Sequence, residues 1–278
     1  MASEWVSSFP GFKSVQSLGK KAYAGVLRTG PVPRHIGFIM DGNRRYARRR
    51  NIELKEGHNA GFESMARTLE TCYDCGVECA TVFAFSVENF NRSAYEVEWL
   101  MELFKHKFSQ IVEHGDMCEQ YGIRVRVLGD IELLPNDVIK VLRRAEQITE
   151  KNTRAVLNVC FAYTARHDIR HSIQQTISQV VKGELDSTEI SEQTLESNLY
   201  TGGLPPLELL IRTSGVHRLS DFLLWECHTS TCDIEIVDTL WPEFGVKDIC
   251  WILLKWSFNR MYGRKLQGVE ARDDLKGE

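Results

Sequence analysis

Residues 35–50 read HIGFIMDGNRRYARRR, an apolar run that stops at Asp41-Gly42-Asn43 and passes into arginines. A run this short, rich in isoleucine and phenylalanine and closed by turn residues, reads as a buried strand rather than a helix. Gly42 and Asn43 then open a helix, so a carboxylate, Asp41, stands at the join. Five more apolar runs recur along the chain: CATVFAF (79–85), IRVRVL (123–128), AVLNVCFAY (155–163), LELLIR (207–212) and IEIVD (234–238). Helical periods lie between them. One covers 57–76. Another starts at Ser93, where Ser-Ala-Tyr-Glu reads as a capping box ahead of Trp99, Leu100, Leu103, Phe104 and Phe108. Pro135 opens a third at a favoured first-turn position. Strand alternating with helix predicts an α/β fold, a largely parallel sheet wrapped by helices in one domain.

In such sheets ligands sit beyond the carboxyl ends of the strands. After the first run comes DGNRRYARRR (41–50), after the second SVENFNR (86–92), and after the fifth RTSGVHRLS (212–220). Three separate strand ends therefore deliver arginines to one rim. Arginine's planar fork matches phosphate oxygens and keeps its charge at any working pH. Arg44, Arg45, Arg92, Arg212 and Arg218 suffice for two polyphosphate groups. Gly42 permits close backbone approach, and the helix start offers free N–H donors to an anion. A carboxylate among arginines makes sense when a cation bridges it to phosphate, as magnesium does, which makes Asp41 the candidate metal ligand. Blander readings stand beside these. The arginines of 44–50 also suit a solvated helix face or an RNA patch; Asp41 suits a helix N-cap; His58 suits a packed core histidine.

Composition narrows the field. The chain has 278 residues, 43% apolar and 26% charged, which excludes a disordered or coiled-coil chain. Thirty-four basic against thirty-eight acidic side chains leave −4, so no global field draws nucleic acid or anionic lipid, and no nucleic acid is expected as a partner. Eight cysteines, mostly in apolar or helical stretches, suit reduced thiols, and Cys72 and Cys75 are expected at buried helix positions rather than on zinc. No secretory run stands in the first thirty residues, and the apolar block CWILLKWSF (250–258), broken by Lys255, is too short to cross a bilayer. P-loop, dinucleotide and zinc-protease motifs are absent, as is a paired-aspartate magnesium motif. The first 28 residues are amphipathic, with Trp5, Phe9 and Phe12 among Lys13, Lys20 and Lys21. They suit a membrane surface, a partner or their own domain.

The strings HIGFIMDGNRRYARRR, EGHNAGF, TVFAFSVENFNRS, LLIRTSGVHRLSDFLLW and LWPEFG, in this order, resemble the cis-prenyltransferase family over about residues 31–262. RTSG and RLSDFLLW are similar to its eukaryotic, dehydrodolichyl diphosphate-forming branch, and the tail WILLKWSF to the fungal catalytic subunits there. The resemblance implies a central parallel six-stranded sheet ringed by helices with an apolar tunnel. It divides the chain into an arm (1–30), a catalytic domain (31–262) and a polar tail (263–278). It implies magnesium-dependent addition of isopentenyl diphosphate, in cis, to farnesyl diphosphate, giving the long-chain precursor of dolichol for glycosylation. Asp41, Gly42, Asn43, Arg44, Arg45 and His58 are then the allylic diphosphate site, with Phe85, Ser86 and Asn89 lining the centre. Arg92, Arg212, Arg218 and Ser220 hold isopentenyl diphosphate; Asp41, Asn89 and Arg92 are the catalytic set and Asp41 the metal ligand.

The departures from the family pattern are informative. Leu54 stands where bacterial relatives have an arginine, Glu208 where Asp is common and Val216 where Glu is. No second metal ligand is assigned near Asp233. Single-subunit members end in R-x-G, and here Met261 holds the arginine's place in NRMYG (259–263). That implies a non-catalytic homologue supplying R-x-G, with peripheral attachment to the cytosolic face of the endoplasmic reticulum membrane. The alternatives are the scaffold subunit of the same complex or a basic RNA-binding module.

Overall fold

All six apolar runs become strands: β1 (His35–Ile39), β2 (Cys79–Ser86), β3 (Ile123–Leu128), β4 (Ala155–Tyr163), β5 (Leu209–Arg212) and β6 (Asp233–Ile236). They form one sheet in the order β3-β4-β2-β1-β5-β6, every pair parallel. The computed structural model describes residues 23–114 and 116–273, with side chains outside 111–117 and 264–273. Residues 23–27 are helical, and eight further helices of the described residues surround the sheet: α1 (Asn43–Arg50), α2 (Leu54–Cys75), α3 (Ala94–His114), α4 (Asp116–Tyr121), α5 (Asn136–Thr149), α6 (Ala165–Val181), α7 (Glu192–Asn198) and α8 (Val246–Asp273).

The sheet order creates a switch point. From β1 the chain crosses to β2 on one side, and β5 later returns to the other side of β1. The crevice at such a reversal is where doubly wound sheets bind ligands. Register sharpens it: Ile39 at the end of β1 pairs with Arg212 at the end of β5, so the first and third arginine-bearing segments leave the sheet side by side.

Buried side chains form two clusters. Ile36, Phe38, Leu69, Phe85, Phe161 and Trp241 belong to the larger; Ile39, Tyr163, Leu210, Phe222 and Leu223 to the smaller. Alternation along β1 sends Phe38 to one and Ile39 to the other, as the two-residue period of a strand requires. The larger cluster leaves a cavity of about 880 Å³, walled by Met65 and Leu69 from α2, Leu103, Phe104 and Phe108 from α3, and Leu157 from β4. That is the apolar tunnel the resemblance implied.

Boundaries shifted for local reasons. α2 starts three residues before the expected 57, because Glu53 and Glu56 close a reciprocal capping box there. Pro135 stands at the N-cap, one position ahead of the first turn. The box expected at Ser93 is half formed: Glu96 N–H donates to Ser93 Oγ, at 3.3 Å, but its carboxylate turns to Arg92 instead. α8 runs through the expected boundary at 262/263. Cys72 and Cys75 are buried, and all eight cysteines are free. No helix of the described residues is long and apolar enough to cross a membrane. Most of the amphipathic arm lies outside the described residues. Of its end, Ala24 and Leu27 are buried and the Tyr23 hydroxyl donates to the Cys250 carbonyl of α8.

Candidate active site

Asp41 follows β1, and its place decides between two of the readings above. The N-cap of α1 is Gly42, at φ 119°, with no side chain capping the helix. Asp41 is therefore not a cap. Its Oδ2 accepts from Arg212 Nη2 at 2.9 Å and lies 3.5 Å from Arg45 Nη2. Burial alone raises the pKa of this carboxyl, but the hydrogen bond and charge of Arg212, aided by Arg45, outweigh it and hold the group below its ordinary value. It is an ionised carboxylate on the rim. Thr213 Oγ1 accepts from the Asp41 N–H (3.0 Å) and donates to the Asp41 carbonyl (2.7 Å), locking the β1 and β5 exits together.

α2 explains the EGHNAGF string. A Cβ on Gly61 would lie 2.2 Å from Asn43 Oδ1, and one on Gly57 would lie 2.7 Å from the Asn43 carbonyl. The helix can reach the Asp41-Gly42-Asn43 turn only through these two glycines. Gly42 is fixed similarly: besides its positive φ, a Cβ there would stand 3.0 Å from Leu240. Trp241 donates from Nε1 to the Gly61 carbonyl at 2.8 Å, so the LWPEFG string holds α2 in place. The first intrahelical bond of α1 runs from Tyr46 N–H to the Gly42 carbonyl, which leaves the amides of Asn43, Arg44 and Arg45 directed out of the helix start.

His58 stands one turn before Gly61 on the same helix. Burial, with the Arg92 charge beside it, pushes its pKa down to about 4, so it is neutral. Its Nε2 is buried without a partner, as are Asn43 Oδ1 and Arg212 Nε. Buried unpaired polar atoms are rare in folded proteins. All three lie on sequence-selected residues that line one cavity.

From β2, a register irregularity against β4 falls at Phe83, Phe85 and Ser86, the kind of local bend that re-aims side chains near sites. Ser86 N–H donates to Asn89 Oδ1 at 3.0 Å, and Glu88 N–H to Ser86 Oγ at 3.2 Å. Asn89's carbonyl oxygen is thus engaged, while its NH2 still has hydrogen-bond donors to offer. Arg92, at the end of this turn, donates to Glu96 at 2.9 Å. Glu96 also lies 3.9 Å from Arg44 and is only 14% exposed, so one carboxylate spaces two arginines. The sequence signal for Glu96 was present but read as capping.

The third segment is a loop after β5. Arg212, its side chain 2% exposed, donates from Nη1 to Ser220 Oγ (2.8 Å) and to the Arg218 carbonyl. Arg218 Nε also reaches Ser220 Oγ, at 3.3 Å. Ser214, Ser220, Asp221 and Leu223 all have positive φ.

The structure brings Asp41, Asn43, Arg44, His58, Phe85, Ser86, Asn89, Arg92, Arg212, Arg218 and Ser220 to the lining of one cavity. Gly42 and Arg45 stand behind it, Gly42 as the cap and Arg45 bonded to Ser214. Sequence reasoning missed Glu96, Thr213, Glu88, Arg166 and Asp221. Among the described residues no three His, Cys, Asp or Glu side chains group to hold a metal. Asp41, a carboxylate set among arginines, fits magnesium, which takes one or two carboxylates from a protein, and does not fit an all-protein cage.

Known proteins are similar to this chain. The family model described as putative undecaprenyl diphosphate synthase matches residues 39–263. A dehydrodolichyl diphosphate synthase complex subunit of Schizosaccharomyces pombe is 48% identical over 83% of this chain and 87% of its own. The human dehydrodolichyl diphosphate synthase complex subunit is 42% identical over 92% of this chain and 77% of its own. The crystal structure of lavandulyl diphosphate synthase from Lavandula x intermedia, in complex with dimethylallyl diphosphate, superposes with TM-score 0.74 and 28% identity, over 81% of this chain and 95% of that one. With the six-stranded parallel sheet, the arginine-rimmed cavity and these likenesses together, the chain belongs to the cis-prenyltransferase family of undecaprenyl and dehydrodolichyl diphosphate synthases.

Proposed function

We propose that this chain is the catalytic subunit of a dehydrodolichyl diphosphate synthase complex. It adds isopentenyl diphosphate units in cis to farnesyl diphosphate, building the polyprenyl diphosphate from which dolichol for glycosylation is made. The observation that carries this reading is an apolar cavity of about 880 Å³ whose mouth combines arginines from three strand ends with the Asp41 carboxylate, held ionised by Arg212 and Arg45.

The apolar walls take the growing hydrocarbon, and burial of each added unit favours the elongated chain. At the mouth, Asn43, Arg44, His58 and the α1 amides receive the allylic diphosphate; Arg92, Arg212, Arg218 and Ser220 receive the isopentenyl diphosphate. The isopentenyl double bond attacks the allylic carbon as the carbon–oxygen bond to diphosphate breaks, and loss of a proton sets the new double bond. The arginines are already in place where negative charge grows on the leaving group, which is the stabilisation that speeds such a step. Magnesium held at Asp41 would supply further positive charge to that group.

The relatives are named as complex subunits, and α8 supports a heteromer here. Trp251, Leu254, Phe258 and Met261 are exposed at helical spacing. They lie on the helix that borders the sheet-edge strand β6 through Lys255–Glu235 and Arg260–Asp233 pairs. A clustered apolar stripe of this kind suits a partner. We assign to it the non-catalytic homologue whose R-x-G supplies the arginine that Met261 replaces. Peripheral attachment to the cytosolic face of the endoplasmic reticulum membrane completes the proposal. The scaffold alternative is disfavoured by the complete arginine rim, and the RNA alternative by arginines that converge on an apolar cavity.

The test is incorporation of labelled isopentenyl diphosphate onto farnesyl diphosphate with magnesium, by the chain alone and with an R-x-G homologue. Long cis product only from the pair is expected. Product from the chain alone overturns the two-subunit requirement, and none from either overturns the catalytic assignment.

A further inference from the structure

We infer that Arg166 is a positioning residue that clamps the two loops carrying the isopentenyl diphosphate ligands, an inference that rests on the diphosphate reading above. Arg166 lies in the first turn of α6, outside the strand ends that supply the rim arginines. Its Nε donates to Asp221 Oδ2 at 2.6 Å and its backbone N–H to Asp221 Oδ1 at 3.2 Å; Nη2 donates to Glu88 Oε1 at 3.2 Å. Asp221 immediately follows Ser220 in the loop after β5. Glu88 immediately precedes Asn89 in the turn after β2. One guanidinium thus spans the cavity mouth between the segment that presents Arg218 and Ser220 and the segment that presents Asn89 and Arg92.

The loop after β5 needs such a clamp. Ser220 and Asp221 are consecutive residues in the left-handed region, at φ 51° and 59°. Each such residue is strained against ordinary backbone and persists only when its surroundings fix it. Ser220 is held at its hydroxyl, to which Arg212 and Arg218 both donate. Asp221 supplies the anchor. Its carboxylate accepts from the α6 first turn, its carbonyl accepts from the Ala165 N–H at 2.7 Å, and its side chain is 14% exposed. A carboxylate at a helix start is stabilised by the unpaired amides and the helix dipole. The two limbs are unequal: Glu88 is 62% exposed, so its pairing with Arg166 is screened, whereas the Asp221 limb is two-pronged and half-sheltered.

The chemistry separates positioning from direct contact. A clamp acts on both loops before any ligand arrives, whereas a ligand contact acts only afterwards. Arg166→Ala is therefore expected to speed amide exchange in both 214–223 and 86–92 of the ligand-free protein. In the active complex it should raise KM for isopentenyl diphosphate about tenfold and leave KM for farnesyl diphosphate within twofold. Arg166→Lys reaches Asp221 but not Glu88 as well, so it should restore exchange protection in 214–223 only. Glu88→Gln should raise the same KM about twofold and add nothing to Arg166→Ala in the double variant.

The experiment is exchange mass spectrometry on these variants, run beside steady-state kinetics in which each diphosphate is varied in turn. Unchanged exchange in both loops overturns the clamp, as does a KM effect that falls equally on the two substrates. Loosened loops in a chain whose wild type binds neither diphosphate would leave the clamp standing and overturn the diphosphate reading instead.

Discussion

On one side of the cavity mouth, Asn43, Arg44 and His58 stand on α1 and α2, two helices that meet through Gly57 and Gly61 with no room for a methyl group. On the other, Arg218 and Ser220 stand on a loop with four non-glycine residues at positive φ. The first side is placed by close packing of regular backbone. The second is placed by polar cross-links from Arg212 below and Arg166 beside it. Packing fails abruptly when volume is added, while polar cross-links fail by charge and by pH. Substitutions of the two kinds therefore report on different sides of the same site.

The largest effect is expected where the sides join. Asp41→Asn keeps the shape and removes the charge that balances Arg212 and Arg45. Turnover should fall about a thousandfold, in the range of losing one strong electrostatic contact to a transition state. The near-buried Arg212 loses its counter-ion as well, so the melting temperature should drop by several degrees. Turnover within tenfold of wild type would remove Asp41 from the chemistry.

Gly61→Ala tests the packed side. The added methyl would sit 2.2 Å from Asn43 Oδ1, so the Asn43 side chain, the turn or the helix must shift. Overpacking of this kind costs about 1–3 kcal/mol of stability, and displacement of Asn43 should lower kcat/KM about a hundredfold. The matched control is Gly25→Ala, at an exposed glycine of ordinary φ with nothing within 4 Å of the added atom. Equal loss in both variants would refute the packing account.

The cross-linked side is exposed to pH. Beneath the loop, Asp168 accepts from the Tyr163 hydroxyl (2.9 Å) and the Tyr200 N–H (2.8 Å), and Tyr163 packs against Phe222 of that loop. Burial pushes the Asp168 carboxyl up to about 7, while the Tyr200 N–H works the other way. A carboxyl whose folded pKa lies above its unfolded value binds its proton more tightly when folded. Its contribution is complete below about pH 4 and is lost as pH rises towards 7. His35, buried between the Pro205 carbonyl and Thr81, is pushed by burial down to about 4 and has the opposite sign. Its contribution is complete above about pH 6.5 and is lost as pH falls towards 4. The two slopes oppose each other in wild type. Asp168→Asn removes one, so denaturation of this variant should gain about 2 kcal/mol on wild type between pH 5 and 7.5. A pH-independent difference would show that Asp168 is ionised throughout.

The same contrast explains what the sequence made legible. Strand runs, the helix that follows Asp41 and the arginines after three strands are local patterns, and each was readable within a dozen residues. The rim followed because a parallel sheet puts every strand's carboxyl end on one edge. The clamp residues were not readable, because Arg166 acquires its role only when α6 folds beside a loop 55 positions later in the chain. Glu96 was misread for a related reason: at position three of a helix a glutamate suits a capping box, and only the nearby Arg92 and Arg44 draw its carboxylate away. Gly57 and Gly61 were quoted as part of a motif, yet their purpose depends on which turn α2 meets.

Glu96 offers the smallest and most discriminating test, since it belongs to the packed side but acts through charge or through position. As a counter-charge it would keep Arg44 and Arg92 from repelling each other before a diphosphate arrives. As a positioner it would hold Arg92 by the 2.9 Å bond to Nη1, which an amide oxygen can also accept. The 14% exposure of its side chain and the single close bond favour position. Glu96→Ala should then lower kcat/KM about tenfold, close to the free energy of one charge-assisted hydrogen bond, while Glu96→Gln recovers activity to within about threefold of wild type. Equal losses in the two variants would show that the negative charge itself is required, and the packed side would then share the electrostatic dependence of its neighbour.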